Sequence, residues 1–150
     1  MRRGDLAPDF TLPDQRGALR TLSSLAESGP VVLFFYPAAM TSGCTRECGH
    51  FRDLASEFLT LGASRVGISM DAVQRQGEFA SKHALDYPLL SDVGGAVARA
   101  YGVKRALDLL KVRRTTFVID RQRRIVEVIG DELHMDAHAD RALRALATLG

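Results

Sequence analysis

Residues 31–36, VVLFFY, constrain the fold of this chain more than any other segment. Such a continuous run of β-branched and aromatic residues is typical of a strand that is buried on both faces. Gly29 and Pro30 break the regular structure before the run. Pro37 follows it, and because proline cannot donate a hydrogen bond to a neighbouring strand, we expect the strand to end at Tyr36.

Apolar patterns elsewhere alternate between strand and helix. Further strands are predicted on both sides of a turn at residues 15–17, with a short helical turn after them, and over residues 64–71, 87–92, 115–120 and 124–130. Helices are predicted along a face formed by Cys44, Cys48, Phe51, Ala55 and Phe58, over residues 72–84, near residues 93–102 and over residues 136–149. This order implies a mixed α/β sheet with helices on both faces.

Composition places the chain among ordinary globular proteins. It has 150 residues, of which 46% are apolar and 25% charged, so we expect residues 1–150 to form a single domain. The net charge of +2 points to neither a nucleic-acid nor a membrane partner. Acid and proline follow the first arginines where a signal peptide needs an apolar stretch, and no run is long enough to span a membrane. We therefore expect a cytoplasmic protein.

Both cysteines of the chain, Cys44 and Cys48, follow the VVLFFY strand. In the reducing cytoplasm, a close pair is more often catalytic or metal-binding than a structural disulfide, and chemistry in α/β sheets collects at the carboxyl ends of strands. If a helix begins near Cys44, its free N–H groups and dipole favour the nucleophilic thiolate. We expect Gly43 to give the preceding loop its backbone freedom, and Thr41 can offer a hydroxyl to the sulfur or to a substrate oxygen. The alternative is a free cysteine packed as a small apolar residue.

A family resemblance rests on these residues. Pro37, Thr41 and Cys44 match the PxxxTxxC motif of peroxiredoxins, and FFYPAAMTSGCTRECGHFRD resembles the bacterioferritin comigratory protein, or PrxQ-type, subfamily. The segments APDFTLPDQ, VGIS, DYPLLSD, YGVKR and RTTFVID follow in that subfamily's order. The resemblance implies a thioredoxin-like fold and thiol-dependent reduction of hydrogen peroxide and organic hydroperoxides. It implies no metal, haem or flavin cofactor.

The resemblance also implies a role for each residue of the motif. Cys44 is similar to the peroxidatic cysteine, Thr41 to its hydrogen-bonding partner, and Pro37 to the residue that shields the pocket. Glu47 stands where peroxiredoxins often have an acidic or polar residue that orients the active-site arginine.

Arg114, directly before TTFVID, matches that active-site arginine. A cation beside Cys44 favours the ionised sulfur and can hold the peroxide oxygens while the O–O bond breaks. Arginine suits this task because its donors are fixed and it does not lose its charge. The alternative is that Arg114 belongs to a solvated basic stretch over residues 111–114, in which Arg113 is the neighbour most easily confused with it.

Cys48 departs from the subfamily pattern, in which the resolving cysteine usually stands five residues after the first. Helical residues four apart have Cα atoms about 6.2 Å apart, inside the range of roughly 4.4–6.8 Å that disulfides adopt. Their Cβ atoms remain about 5–6 Å apart, so a Cys44–Cys48 disulfide needs local unwinding, for which Gly49 is well placed. We predict that Cys48 resolves Cys44 and that a thioredoxin-like donor reduces the disulfide. A one-cysteine mechanism with an external thiol is the alternative, and the resemblance favours a monomer.

Other patterns carry less weight. Only His134 and His138 have a metal-like spacing, and we expect them at an acidic, exposed helix start without a metal. The clusters KVRR and RQRR are interpreted as solvated or docking surfaces rather than a nucleic-acid site. Three alternatives stay open: a copper-binding thioredoxin-like protein, which needs a distal histidine near Arg114, a dithiol oxidoreductase, which uses CxxC, and a peroxiredoxin-like binding protein without turnover.

Overall fold

A computed structural model describes residues 1–105 and 112–149. Its strands are β1 (Thr11–Pro13), β2 (Leu19–Thr21), β3 (Val31–Phe35), β4 (Ser64–Ser69), β5 (Leu89–Ser91), β6 (Thr115–Ile119) and β7 (Ile125–Gly130). Its helices are α1 (Leu22–Glu27), α2 (Ser42–Asp53), α3 (Ala55–Thr60), α4 (Val73–Lys82), α5 (Ala96–Ala100) and α6 (Met135–Ala147). Strands β1 and β2 form a hairpin, and the other described strands form one sheet in the order β5-β4-β3-β6-β7.

The predicted apolar strand is the middle of that sheet. β3 runs parallel to β4 and antiparallel to β6, with Phe35 opposite Ile68 on one side and Thr115 on the other. All of its residues are buried. The strand ends at Phe35, one residue earlier than predicted, although the Tyr36 N–H still donates to the carbonyl of Ile68 at 3.0 Å.

Side chains of β3 alternate between two apolar cores, as the strand period requires. Val32 and Phe34 pack with α2, α3, α4 and α6 on one face, whereas Val31, Leu33 and Phe35 pack with α1 and α5 on the other. The predicted mixed sheet with helices on both faces is therefore confirmed. Each core excludes water from one side of the strand whose carboxyl end leads into α2.

The helix after β3 differs from its prediction. It begins at Ser42, two residues before Cys44, and it ends at Asp53. Leu54, with φ −96° and ψ 20°, separates α2 from α3, so the predicted face from Cys44 to Phe58 spans two helices. Ala55 is only half-buried as a result.

Two predictions meet the borders of the described chain. The basic stretch at residues 111–114 is described only from Val112 onward, so Lys111 lies outside the described residues. Within the described ranges, every helix is too short or too polar to cross a bilayer.

Candidate active site

The loop between β3 and α2 carries Pro37 and Thr41 to the carboxyl end of the sheet. Asp71, just after β4, fixes this loop because its Oδ2 accepts the Ala39 N–H at 2.8 Å and the Ser69 hydroxyl at 2.6 Å. Met40 adopts a left-handed φ of 71° and turns the chain into the helix. Pro37 is buried beside the turn.

Cys44 is the third residue of α2 and is fully buried. The N–H groups of a first helical turn have no acceptors within the helix, and they carry the positive end of the helix dipole. The sulfur of Cys44 therefore lies where a negative charge is stabilised by the backbone. Its helix position agrees with the expectation drawn from the sequence.

Thr41 occupies the N-cap of α2 in an extended conformation. Its hydroxyl donates to the carbonyl of Ala38 at 2.9 Å, and across the described residues it makes no hydrogen bond to Cys44. The hydroxyl lone pairs are left to accept a hydrogen bond from a bound molecule, since Thr41 is exposed.

Arg114 precedes β6, and the pairing of Phe35 with Thr115 brings it beside the loop. One guanidinium nitrogen, Nη2, donates to the sulfur of Cys44 at 3.4 Å, and the other, Nη1, donates to Oε1 of Glu47 at 2.6 Å. Burial disfavours the charge of Arg114, but the opposite charges of Glu47 and Cys44 outweigh burial and raise its pKa above the ordinary value. The structure thus brings Cys44, Glu47 and Arg114 together, whereas the side chain of Arg113 is exposed.

Gly43 serves a different purpose from the one predicted. It lies inside α2 rather than in a loop, so it needs no special backbone freedom. A Cβ at this position would stand 3.3 Å from Nη2 of Arg114 and 3.5 Å from the sulfur of Met135. The absence of a side chain lets the guanidinium approach the first turn of the helix.

Glu47 is fully buried one turn after Gly43. Burial raises the pKa of its carboxyl to about 7, although the charge of Arg114 opposes the shift. Within the described chain, its second oxygen, Oε2, has no hydrogen-bond partner. That oxygen lies 3.5 Å from Nδ1 of His138.

His138 was expected at an exposed helix start, and this expectation is wrong. His134 is exposed, but His138 is fully buried on the face of α6 that packs against α2. An ion pair between Arg46 and Asp136 and a hydrogen bond between His50 and Asp140 join the two helices on either side of it. The spacing of His138, Ala142 and Leu146 in steps of four residues was the signal that could have placed it on the apolar face.

Cys48 lies one turn beyond Cys44 and is also a fully buried free thiol. It belongs to the apolar core that contains Phe34 and Phe51. Burial, and then the charges of Glu47 and Cys44, raise the pKa of this thiol well above its ordinary value. The Tyr87 hydroxyl donates to the carbonyl of Cys48 at 2.7 Å and holds this turn of the helix in place.

The same geometry bears on a copper site. A guanidinium 3.4 Å from the Cys44 sulfur puts a positive charge where Cu(I) would have to approach, and like charges repel. Among the residues that the structure describes, no group of three or more histidine, cysteine and acidic side chains could hold a metal ion.

Comparisons with known proteins agree on one family. The AhpC/TSA family model matches residues 3–128. The crystal structure of peroxidoxin BcpB from Mycobacterium tuberculosis is 58% identical with a TM-score of 0.96, covering 100% of this chain and 99% of that one. Chloroplastic peroxiredoxin Q from Sedum lineare is 37% identical over 147 residues, which are 98% of this chain and 78% of the relative. The Xanthomonas campestris bacterioferritin comigratory protein, studied for its alkyl peroxide reduction activity, is 29% identical with a TM-score of 0.85, covering 93% of this chain and 91% of that one.

Proposed function

The chain belongs to the AhpC/TSA family, and on that basis we propose that Cys44 is the peroxidatic cysteine of this PrxQ-type peroxiredoxin. The protein is a thiol-dependent peroxidase, and its family acts on peroxides with a thioredoxin-type reductant. The observation that carries the assignment of Cys44 is its hydrogen bond from Arg114 at the first turn of α2, 3.4 Å in length.

The first step is attack by the Cys44 thiolate on a peroxide oxygen. A sulfur–oxygen bond forms while the O–O bond breaks, and the leaving oxygen takes up one proton and departs as water or an alcohol. Cys44 is left as a sulfenic acid. Arg114 and the N–H groups of the helix start stabilise negative charge on the sulfur before attack and on the oxygens during it.

Neighbouring side chains prepare this step. Glu47 fixes Nη1 of Arg114, so that Nη2 points at the sulfur. Thr41 accepts a hydrogen bond from the bound peroxide through the hydroxyl lone pairs that it leaves open. Pro37 shields the reacting sulfur from bulk water.

Cys48 resolves the sulfenic acid. Its sulfur forms a bond with that of Cys44 and water is released, after which a thioredoxin-type dithiol reduces the disulfide by thiol–disulfide exchange. Because both sulfurs are buried on an intact helix, the turn between them must unwind first. Gly49 weakens the helix at that point. Direct attack of an external thiol on Cys44 is the one-cysteine alternative.

We extend the proposal to the remaining properties of the protein. Its substrates are hydrogen peroxide and organic hydroperoxides, in keeping with the alkyl peroxide reduction studied for the Xanthomonas protein. It acts in the cytoplasm as a monomer in which residues 1–150 form one thioredoxin-like domain, without cofactor, nucleic acid or membrane.

The assignment of Cys44 is tested by comparing Cys44→Ser with Cys48→Ser. Peroxide consumption is followed with thioredoxin and its reductase, and a single turnover is followed by stopped flow. We expect Cys44→Ser to lose both, and Cys48→Ser to keep the first oxidation step. Turnover near wild type in Cys44→Ser would refute the assignment.

A further inference from the structure

His138 is a buried polar side chain that has no role in the proposed steps of peroxide reduction. Its Nε2 faces the backbone carbonyl of Asp131 at 2.7 Å, and its Nδ1 faces the hydroxyl of Thr116 at 2.7 Å. Oε2 of Glu47 lies 3.5 Å from the same Nδ1. No solvent reaches the ring, since His138, Glu47 and Thr116 are all fully buried.

These contacts determine where the protons of the imidazole lie. A carbonyl oxygen only accepts hydrogen bonds, so Nε2 must carry a proton and donate it to Asp131. In the neutral ring, Nδ1 then has a lone pair, which accepts from the Thr116 hydroxyl. In the charged ring, Nδ1 carries the second proton.

Glu47 disfavours the state in which its own carboxyl is ionised and Nδ1 of His138 carries no proton. If Glu47 were ionised while His138 stayed neutral, Oε2 would face a lone pair at 3.5 Å and, within the described chain, would have no hydrogen bond. Oε1 would still be paired with Arg114, but a buried carboxylate oxygen that lacks a hydrogen bond is costly. The pair avoids it by holding one proton, either on Oε2 of Glu47 beside a neutral ring or on Nδ1 beside a carboxylate.

Several further groups act electrostatically on this pair. They are Arg114, Cys48, Tyr87, Glu132, Asp131 and Arg141. Arg114 is the one that directly bonds Glu47, and its positive charge favours the carboxylate while disfavouring the imidazolium. Burial has the opposite effect on Glu47 and raises its pKa to about 7, so the proton is held into the neutral range.

We propose that His138 is a positioning residue of the peroxidase site, which keeps one proton on the Glu47–His138 pair so that Arg114 retains its charge for the Cys44 thiolate. With that proton, Glu47, His138 and Arg114 together carry one net positive charge wherever the proton lies. Without it, the carboxylate of Glu47 neutralises Arg114, and the thiolate loses its net counter-charge. This inference rests on the proposed role of Cys44.

The protonation of His138 can be observed in the wild-type enzyme. Nitrogen-15 NMR of the imidazole should show a proton on Nε2, with Nδ1 either unprotonated beside a protonated Glu47 or protonated beside its carboxylate, and Glu47→Gln should alter how the ring titrates. A neutral ring protonated on Nδ1, or a titration that ignores Glu47→Gln, would overturn the proposal. This measurement needs neither turnover nor a His138 variant that folds.

The kinetic consequence is tested with two substitutions of His138. His138→Asn keeps a polar atom near Nδ1 and His138→Gln keeps one near Nε2, but neither can hold the proton. We expect both to move the thiolate absorbance titration of Cys44 to higher pH by roughly one unit. Peroxide attack at neutral pH should become several-fold slower, with a smaller loss in acid, where Glu47 alone holds the proton. The matched control is His134→Asn, the same change at an exposed histidine of the α6 N-cap.

A double substitution identifies the route of the effect. The glutamine of Glu47→Gln has no charge that could neutralise Arg114. Adding His138→Asn to this variant should therefore cause no further shift of the thiolate titration. The role of His138 would be refuted if His138→Asn shifted the thiolate titration equally in the wild-type and Glu47→Gln backgrounds, or if it caused no shift in the wild-type background. An equal shift in His134→Asn would refute it too. Failure of the Cys44 assignment is recognised separately, because Cys44→Ser would then keep its turnover.

Discussion

The first and second turns of α2 place two sulfurs in opposite surroundings. Both are fully buried and one turn apart on the same helix. Cys44 has the helix N-terminus and the Arg114 guanidinium beside it, whereas Cys48 has aromatic rings and the nearby charge of Glu47. Burial is common to both and cannot explain a difference in reactivity. The charges that accompany burial can.

The two turns also differ in whether they must unwind during the proposed reaction. The turn at Cys44 already holds its cation in the folded helix. The turn at Cys48 is held by the Tyr87 hydroxyl and must leave its place before its sulfur can reach Cys44. Substitutions can weaken one turn at a time and so separate these differences.

The largest effect is expected from Cys48→Ser. One equivalent of peroxide should give wild-type protein a Cys44–Cys48 disulfide, about two hydrogens lighter, and the variant none. The variant should instead accumulate a sulfenic acid that dimedone traps, and excess peroxide should convert it to sulfinic acid. Peptide mapping by mass spectrometry reads both products. A stable sulfenic acid in wild type, with Cys48 still a free thiol, would remove Cys48 from the mechanism.

Removing the cation from the first turn should have the next largest effect. Arg114→Met should slow oxidation of Cys44 by about 100-fold or more, the usual loss when a donor to developing charge is removed. Arg113→Met removes the same charge from an exposed neighbour and is the matched control. Stopped-flow oxidation and thiolate absorbance against pH measure both variants. Equal losses would mean that the charge of the basic stretch, rather than the contact with Cys44, matters.

Glu47 lies between the two turns, and its ionisation should be visible in stability. Burial raises its folded pKa to about 7 from 4.5, so the unfolded chain ionises first as the pH rises. The stability that Glu47 contributes is full below pH 4.5 and falls until about pH 7, by up to about 3 kcal/mol at 1.4 kcal/mol per unit. Burial lowers the pKa of His138 from its ordinary 6.5. Its contribution therefore has the opposite sign, and stability rises with pH until about pH 6.5.

Urea unfolding at a series of pH values measures these slopes. The stability difference between wild type and Glu47→Gln reports the titration of the carboxyl together with the change that it causes in the titration of His138. We expect that difference to change over the interval from pH 4.5 to about 7 and to stay level outside it. A difference that is constant with pH would mean that the carboxyl of Glu47 has the same pKa in the folded protein as in the unfolded chain.

What the sequence predicts well here is what depends on local pattern. The apolar run of β3 and the PxxxTxxC motif locate the central strand and Cys44, because both are read from adjacent residues. The role of Gly43 was not predicted, because only the folded structure shows that a Cβ at this position would crowd the guanidinium of Arg114. The burial of His138 was not predicted, because its acidic neighbours in the sequence indicate a solvent-exposed helix start. Its burial depends on which face of α6 meets α2, and that contact joins segments 90 residues apart.

The smallest effect is expected from Tyr87→Phe, which releases the second turn without touching a sulfur. The hydroxyl bond to the Cys48 carbonyl must break when the turn unwinds, so its loss should speed disulfide formation a few-fold. Peroxide attack on Cys44 should stay unchanged. The variant should also lose about 1 kcal/mol of stability, the usual contribution of one hydrogen bond.

Tyr101→Phe is the matched control for Tyr87→Phe. Tyr101 is equally buried, and its hydroxyl donates to the carbonyl of Pro8 at 2.7 Å, but it lies in the core on the other face of the sheet. It should lose similar stability and leave disulfide formation unchanged. Rapid-quench mass spectrometry after one equivalent of peroxide separates sulfenic acid formation from disulfide formation and does not depend on the tyrosines that the variants remove. If both variants speed the second step equally, general destabilisation is the cause. If neither does, unwinding at Cys48 does not limit resolution, and the two turns differ in charge alone.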